Sequence, residues 1–214
     1  MKRIVFLVVL SAFAAVTAAA QSVTLNTKFG KVSKEEVEML EYPLDTAATA
    51  VMLYDKRSIM VDLNGSGDFM QTIDRHMRIK ILKEDGLDWG DFELLRYVGT
   101  SNREDITGIE VITYNLDDGK VVSTKMDKDF IYEDEYSSDY RKVSFYAQDV
   151  KVGSVIEVKY KLRSTIYWSI QDLYFQRTIP VNLSESEVRI PGMFTFHKKL
   201  RGSHHVDYAS DIEH

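Results

Sequence analysis

Two stretches of this chain alternate apolar and polar residues strictly, and that period of two constrains the fold more than any other feature. Met77, Ile79 and Ile81 interleave with His76, Arg78 and Lys80; Ile156, Val158, Tyr160 and Leu162 interleave with Glu157, Lys159 and Lys161. Successive side chains of a strand point to opposite faces. Each stretch is therefore predicted to be a half-buried strand, its apolar set inward and its charged set in solvent. Further strands are expected over residues 109–116, 121–122, 140–147, 166–179, 187–190 and 193–198. Another is expected over 50–63, interrupted near Asp55-Lys56-Arg57. Asn64-Gly65-Ser66-Gly67-Asp68 reads as a turn, and Asp117-Asp118-Gly119-Lys120 as a hairpin, because glycines supply positive φ at little cost. Ser33 with Glu36 forms a capping-box pattern, predicting one short helix that Pro43 ends. The expected architecture is mainly β: an antiparallel two-sheet sandwich with one short N-terminal helix.

The N-terminus reads as a secretory signal. Lys2 and Arg3 precede an apolar stretch over residues 4–16, and Ala18-Ala19-Ala20 supplies the small residues of a cleavage site. The expected organisation is a signal segment (1–20), a leader with the short helix (21–45, flexible to Gly30), a sandwich (46–200) and the start of a continuation (201–214). Export to the periplasm or cell surface follows, with no membrane span after cleavage. Because the chain has no cysteine, it can be neither a lipid-anchored lipoprotein nor a disulfide scaffold, and thiol catalysis is excluded. Without Lys2 and Arg3, 25 basic side chains face 33 acidic ones, a formal charge of −8. No basic stripe is present, so nucleic acid is a poor partner.

Few residues offer chemistry. The acidic run Glu133-Asp134-Glu135 with Asp139 lacks the alternate spacing of a calcium loop and reads as a solvated sheet edge. His197, His204, His205 and His214 crowd together with Asp207, Asp211 and Glu213, but no spacing puts two ligands on one face. His76 lies on the polar side of its strand with no nucleophile at a diagnostic distance. No Gly-x-Ser-x-Gly elbow or phosphate-cradling loop occurs, so no catalytic, cofactor or metal residue is assigned. Tyr167, Trp168, Tyr174 and Phe175 form the richest aromatic group. Core filling is their expected role; Tyr167, Trp168 and Tyr174 are the ligand-binding candidates should they be exposed.

Six ordered stretches resemble a bacterial family known as domain of unknown function 3857. They are Phe29-Gly30-Lys31-Val32-Ser33, Tyr42-Pro43-Leu44-Asp45-Thr46-Ala47, and Arg78-Ile79-Lys80-Ile81-Leu82-Lys83-Glu84-Asp85-Gly86, followed by three more. The three are Asn115-Leu116-Asp117-Asp118-Gly119-Lys120-Val121, Gly153-Ser154-Val155-Ile156-Glu157, and Phe175-Gln176-Arg177-Thr178-Ile179-Pro180-Val181. The resemblance implies an immunoglobulin-like sandwich standing in front of a transglutaminase-like domain of the same polypeptide, with any Cys-His-Asp machinery downstream of His214. The expected function is a non-catalytic structural or interaction module. The alternatives are a carbohydrate- or peptide-binding module using exposed aromatics, and a metal-dependent hydrolase built from the acidic and histidine clusters.

Overall fold

The computed structural model describes residues 25–195 together with 197, 199, 201 and 202. The expected signal segment and most of the expected continuation, including His204, His205 and His214, lie outside the described residues.

Helix α1 (Lys34–Glu38) opens with the expected capping box: the Glu36 amide donates to Ser33 Oγ at 3.2 Å and the Ser33 amide to Glu36 Oε2 at 2.7 Å. It stops well before Pro43. Met39 has already left helical backbone, with ψ at 120°, and the chain then tucks Tyr42 against the sheet, so packing ends the helix and proline does not. Strands β1 (Ala50–Leu63) and β2 (Phe69–Ile81) form a long hairpin. In its turn the Asn64 side chain accepts from the amides of Ser66 and Asp68, and Gly67 takes φ +85°. A 3-10 turn (Glu84–Gly90) leads to β3 (Asp91–Tyr97), β4 (Glu104–Asp117) and β5 (Lys120–Lys125). Between β4 and β5 only Asp118 and Gly119 intervene, both at positive φ, the two-residue turn that matches strand twist. Then come β6 (Ile131–Glu135), β7 (Tyr140–Tyr146), β8 (Val155–Ser164) and β9 (Ser184–Arg189).

The strands make two sheets, one of six in the order β5-β4-β8-β2-β1-β9 and one of three in the order β3-β7-β6. Several features of the strands differ from the sequence expectation. The first strand is not interrupted at Asp55-Lys56-Arg57; its ladder runs through with one irregularity between Met52 and Tyr54, because Asp55 is paired with Arg75 and Arg177. The sandwich is not wholly antiparallel, since β9 runs parallel to β1. A parallel return within one sheet needs a crossover, and residues 165–183 supply it. Consequently residues 166–179 form no strand. Their carbonyls at Ser169 and Asp172 accept from the side chains of Gln71 and Arg57, while Ile170 and Leu173 pack on Ile59, Ile73 and Leu162. Residues 193–195 also lie outside any strand, as the turn at Pro191 carries the chain away from the sheet edge.

One face of the large sheet packs on the small sheet. Met52, Ile79, Ile81, Val111, Ile156 and Val158 meet Val143 and Phe145 there, with Phe92 and Leu94 closing the side. The other face is covered at one end by residues 25–48, which bring Leu25, Phe29, Val32 and Val37 against Val51, Leu53, Ile112, Tyr114 and Val155. The segment expected to be a flexible leader is, from Leu25 on, part of this second core. No helix among the described residues is long and apolar enough to cross a membrane.

Candidate functional site

The polar side of β2 is where the alternation misleads. Arg78 and Lys80, expected in solvent, are 0% exposed, as is Glu157 on the neighbouring β8. The covering arm reaches them chiefly with its backbone. Arg78 donates to the carbonyls of Asn26 (2.9 Å) and Lys28 (3.2 Å), to Glu36 Oε1 (2.8 Å), and to Glu157 Oε1 at 2.6 and 3.2 Å. Glu157 also accepts from the Gly30 amide (2.8 Å), His76 Nε2 (2.9 Å) and the Tyr114 hydroxyl (3.1 Å). Glu36 thus caps α1 with one oxygen and pairs with Arg78 through the other.

This is a closed network in which the potentially reactive groups are already engaged. Burial alone would raise the Glu157 carboxyl, but His76, Arg78 and the Gly30 amide outweigh it and hold the group below the usual carboxylate value. Burial likewise pulls the Arg78 guanidinium down, and its bonds to Glu157 and Glu36 more than restore it. Burial next to Glu157 pushes the Tyr114 hydroxyl up, and burial beside Glu185 raises Tyr54 to about 12. His76 is packed edge-on by Phe29 and Tyr54, at 5.5 and 5.1 Å between ring centres. A groove of about 370 Å³ runs beside it, lined in part by the ion pairs Lys159–Glu110 and Lys161–Asp74.

Lys80 gives a pH test of this burial. Its ammonium donates to the carbonyls of Val37 and Gly153, each at 2.6 Å, and burial lowers it to about 8 from the ordinary 10.5. Between those values the unfolded chain holds a proton that the folded chain has released, so stability rises with pH there. Urea unfolding of the wild type is expected to strengthen from about pH 8 to 10 relative to Lys80→Met. A constant difference between the two would show that Lys80 stays charged when folded.

The other sequence candidates are dispersed. The acidic run forms the exposed edge strand β6, where Glu133 makes a two-bond pair with Arg96 at 2.6 and 3.0 Å. His197 is exposed, and among the described residues no three His, Asp or Glu side chains are placed to hold a metal ion.

Of the aromatics, Tyr167 is half-buried, but Trp168 is 56% and Tyr174 62% exposed, so core filling fails for these two. They lie on the crossover, whose one inward side faces the sheet end and leaves the other in solvent. Tyr167 gathers Phe69 (5.4 Å), Trp168 (5.2 Å) and Phe194 (5.7 Å) around it, and Phe69 meets Phe194 at 4.8 Å. Leu63, 54% exposed, stands opposite Phe69 across the hairpin, and Met193 beside Phe194 is 75% exposed. An apolar, ring-rich surface therefore closes this end of the sheet, next to residues 191–195. Sequence reading missed Phe69 and Phe194 because they reach the group from elements far apart in the chain.

The model of a family described as a domain of unknown function with a solved structure, DUF3857, matches residues 67–211. The stretches at Phe29 and Tyr42 that also resembled it fall before the matched range. Among solved structures, one from Parabacteroides distasonis, provisionally named a protease, superposes with a TM-score of 0.50 at 13% identity. The match covers 65% of this chain and 28% of that one, so this chain corresponds to a minor part of that protein's length, and the likeness is one of fold. No curated protein matches the chain.

Proposed function

The chain belongs to the DUF3857 family, and from that premise we propose that it is a non-catalytic, exported module that packs against and positions a transglutaminase-like domain of the same polypeptide. The observation that carries this reading is the aromatic end where the exposed Trp168 joins the half-buried Phe69, Tyr167 and Phe194. Large aromatic rings are favoured anchors of protein interfaces, and contiguous exposed apolar surface commonly marks where a partner sits. The engagement of His76, Arg78 and Glu157 in the fold supports the non-catalytic part. An immunoglobulin-like relation between the two sheets belongs to the same proposal.

The test is association of this chain with the segment encoded after His214, expressed separately. Trp168→Ala is expected to weaken binding about 30-fold, the loss of one interface anchor, with an unchanged urea midpoint. Unaltered affinity, or a following sequence without a Cys-His-Asp set, contradicts the reading. The exposed Trp168 and Tyr174 also favour a second reading, a carbohydrate- or peptide-binding module. Tyr167 and Trp168 pack at 82°, however, and offer no shared flat face for a sugar. Glycan-array binding by the isolated chain, abolished in Trp168→Ala, would select that reading instead.

A further inference from the structure

A second feature lies on the inner face of the large sheet, between the small sheet and the crossover. Three arginines, Arg57, Arg75 and Arg177, line a cleft of about 590 Å³ there. Two of them, Arg75 and Arg177, share one buried carboxylate, Asp55. Arg75 forms a close ion pair with Asp55 Oδ1, and Arg177 grips Oδ2 with two bonds at 2.9 and 3.2 Å. Arg57 is left over. It donates to the Asp172 carbonyl at 3.2 Å, and among the described residues no carboxylate lies within ion-pair distance of it. The floor thus carries three guanidiniums against one carboxylate, with Arg75 and Asp55 buried and Arg57 and Arg177 half-buried, where guanidinium–carboxylate attraction is stronger than in open water. Burial, then repulsion from Arg75 and Arg177, pulls the Arg57 guanidinium below its ordinary value, so a bound anion would relieve an existing tension.

The rest of the cleft narrows the ligand class. Trp89, Phe92 and Leu94 make one wall apolar, and exposed Asp85 and Asp88 stand on the rim. Cationic floor, apolar wall and acidic rim together match a molecule with a carboxylate at one end, an apolar side group and an ammonium at the other. The geometry points to a binding site for a short peptide or amino acid, its carboxylate held by Arg57 and Arg177 and its amino group at the acidic rim. A simple inorganic anion would use the floor alone, and the rim would oppose its entry. This site is separate from the aromatic end and does not depend on it.

Trp89 lines the cleft and supplies a reporter, since the chain's only other tryptophan is Trp168. Titrating the full chain carrying Trp168→Phe with alanylleucine is expected to give a saturable change in fluorescence. The C-terminal amide of the same dipeptide should bind at least about 10-fold more weakly, the loss of a charge-assisted pair. Arg57→Gln should weaken the dipeptide by a similar factor while leaving the urea midpoint unchanged or raised. The acid-against-amide comparison needs no substitution in the cleft, so it decides the matter even if Arg57→Gln fails to fold. Equal binding of acid and amide, no saturation by the dipeptide, or equal binding of inorganic phosphate would each overturn the assignment.

Discussion

Replacing Arg78 by methionine is expected to lower the stability of the fold by about 3–5 kcal/mol, the cost of leaving buried charge without its partner. The residue is fully enclosed, and its loss strands two carboxylates, Glu157 and Glu36, which are themselves almost wholly buried. With an unfolding slope of about 1–3 kcal/mol per molar urea, the midpoint should fall by roughly 1 M or more. The effect has a defined pH dependence. Glu157 titrates below its ordinary value when folded, so its contribution is present above pH 4.5 and is lost as pH falls through the folded value. The gap between wild type and Arg78→Met should therefore narrow in acid. A loss below about 1 kcal/mol, independent of pH, would indicate a surface ion pair, for which such small values are usual.

Phe145→Ala should be comparably damaging, at about 3–5 kcal/mol, the usual cost of emptying an aromatic site in a core. The ring is 0% exposed, stacks on Phe92 at 5.1 Å and 12°, and sits in the core formed where β7 faces the large sheet. Its neighbour Tyr146 points to the opposite face and is 41% exposed, so Tyr146→Ala should cost within about 0.5 kcal/mol. Thermal or urea unfolding of the pair reads the facing of β7 directly. Inverted losses, large at Tyr146 and small at Phe145, would mean that the strand is placed one residue out of register.

The elements legible in the sequence are those whose causes are local. Asp118-Gly119 sets its hairpin through positive φ, Ser33 and Glu36 cap a helix three residues apart, and the alternation of β2 and β8 reports two unlike faces. Period alone does not say which face is wet. Arg78, Lys80 and Glu157 look like solvent residues until the arm from Leu25 to Ala48 folds over them, and that arm supplies largely backbone groups at Asn26, Lys28, Gly30 and Val37. No side-chain pattern records a carbonyl. Residues 166–179 carry the aromatic and branched content of a strand, but their inward groups Ile170 and Leu173 are spaced by three and their carbonyls serve Gln71 and Arg57. Strand β3 was within reach, since Phe92 and Leu94 alternate with Asp91 and Glu93. The aromatic end and the arginine cleft were not, because each gathers residues about a hundred positions apart that meet only after the crossover is laid across the sheet.

Hydrogen–deuterium exchange of the crossover tests the proposed role most directly. The amides of residues 166–174 would be measured in this chain alone and in the proposed polypeptide that joins it to a transglutaminase-like domain. Slower exchange there in the longer protein, with the sandwich strands unchanged and Trp168→Ala restoring the fast rate, is the expected result. Identical exchange in both, together with substrate turnover by the isolated chain, would contradict a positioning module and require a reaction centre within these residues.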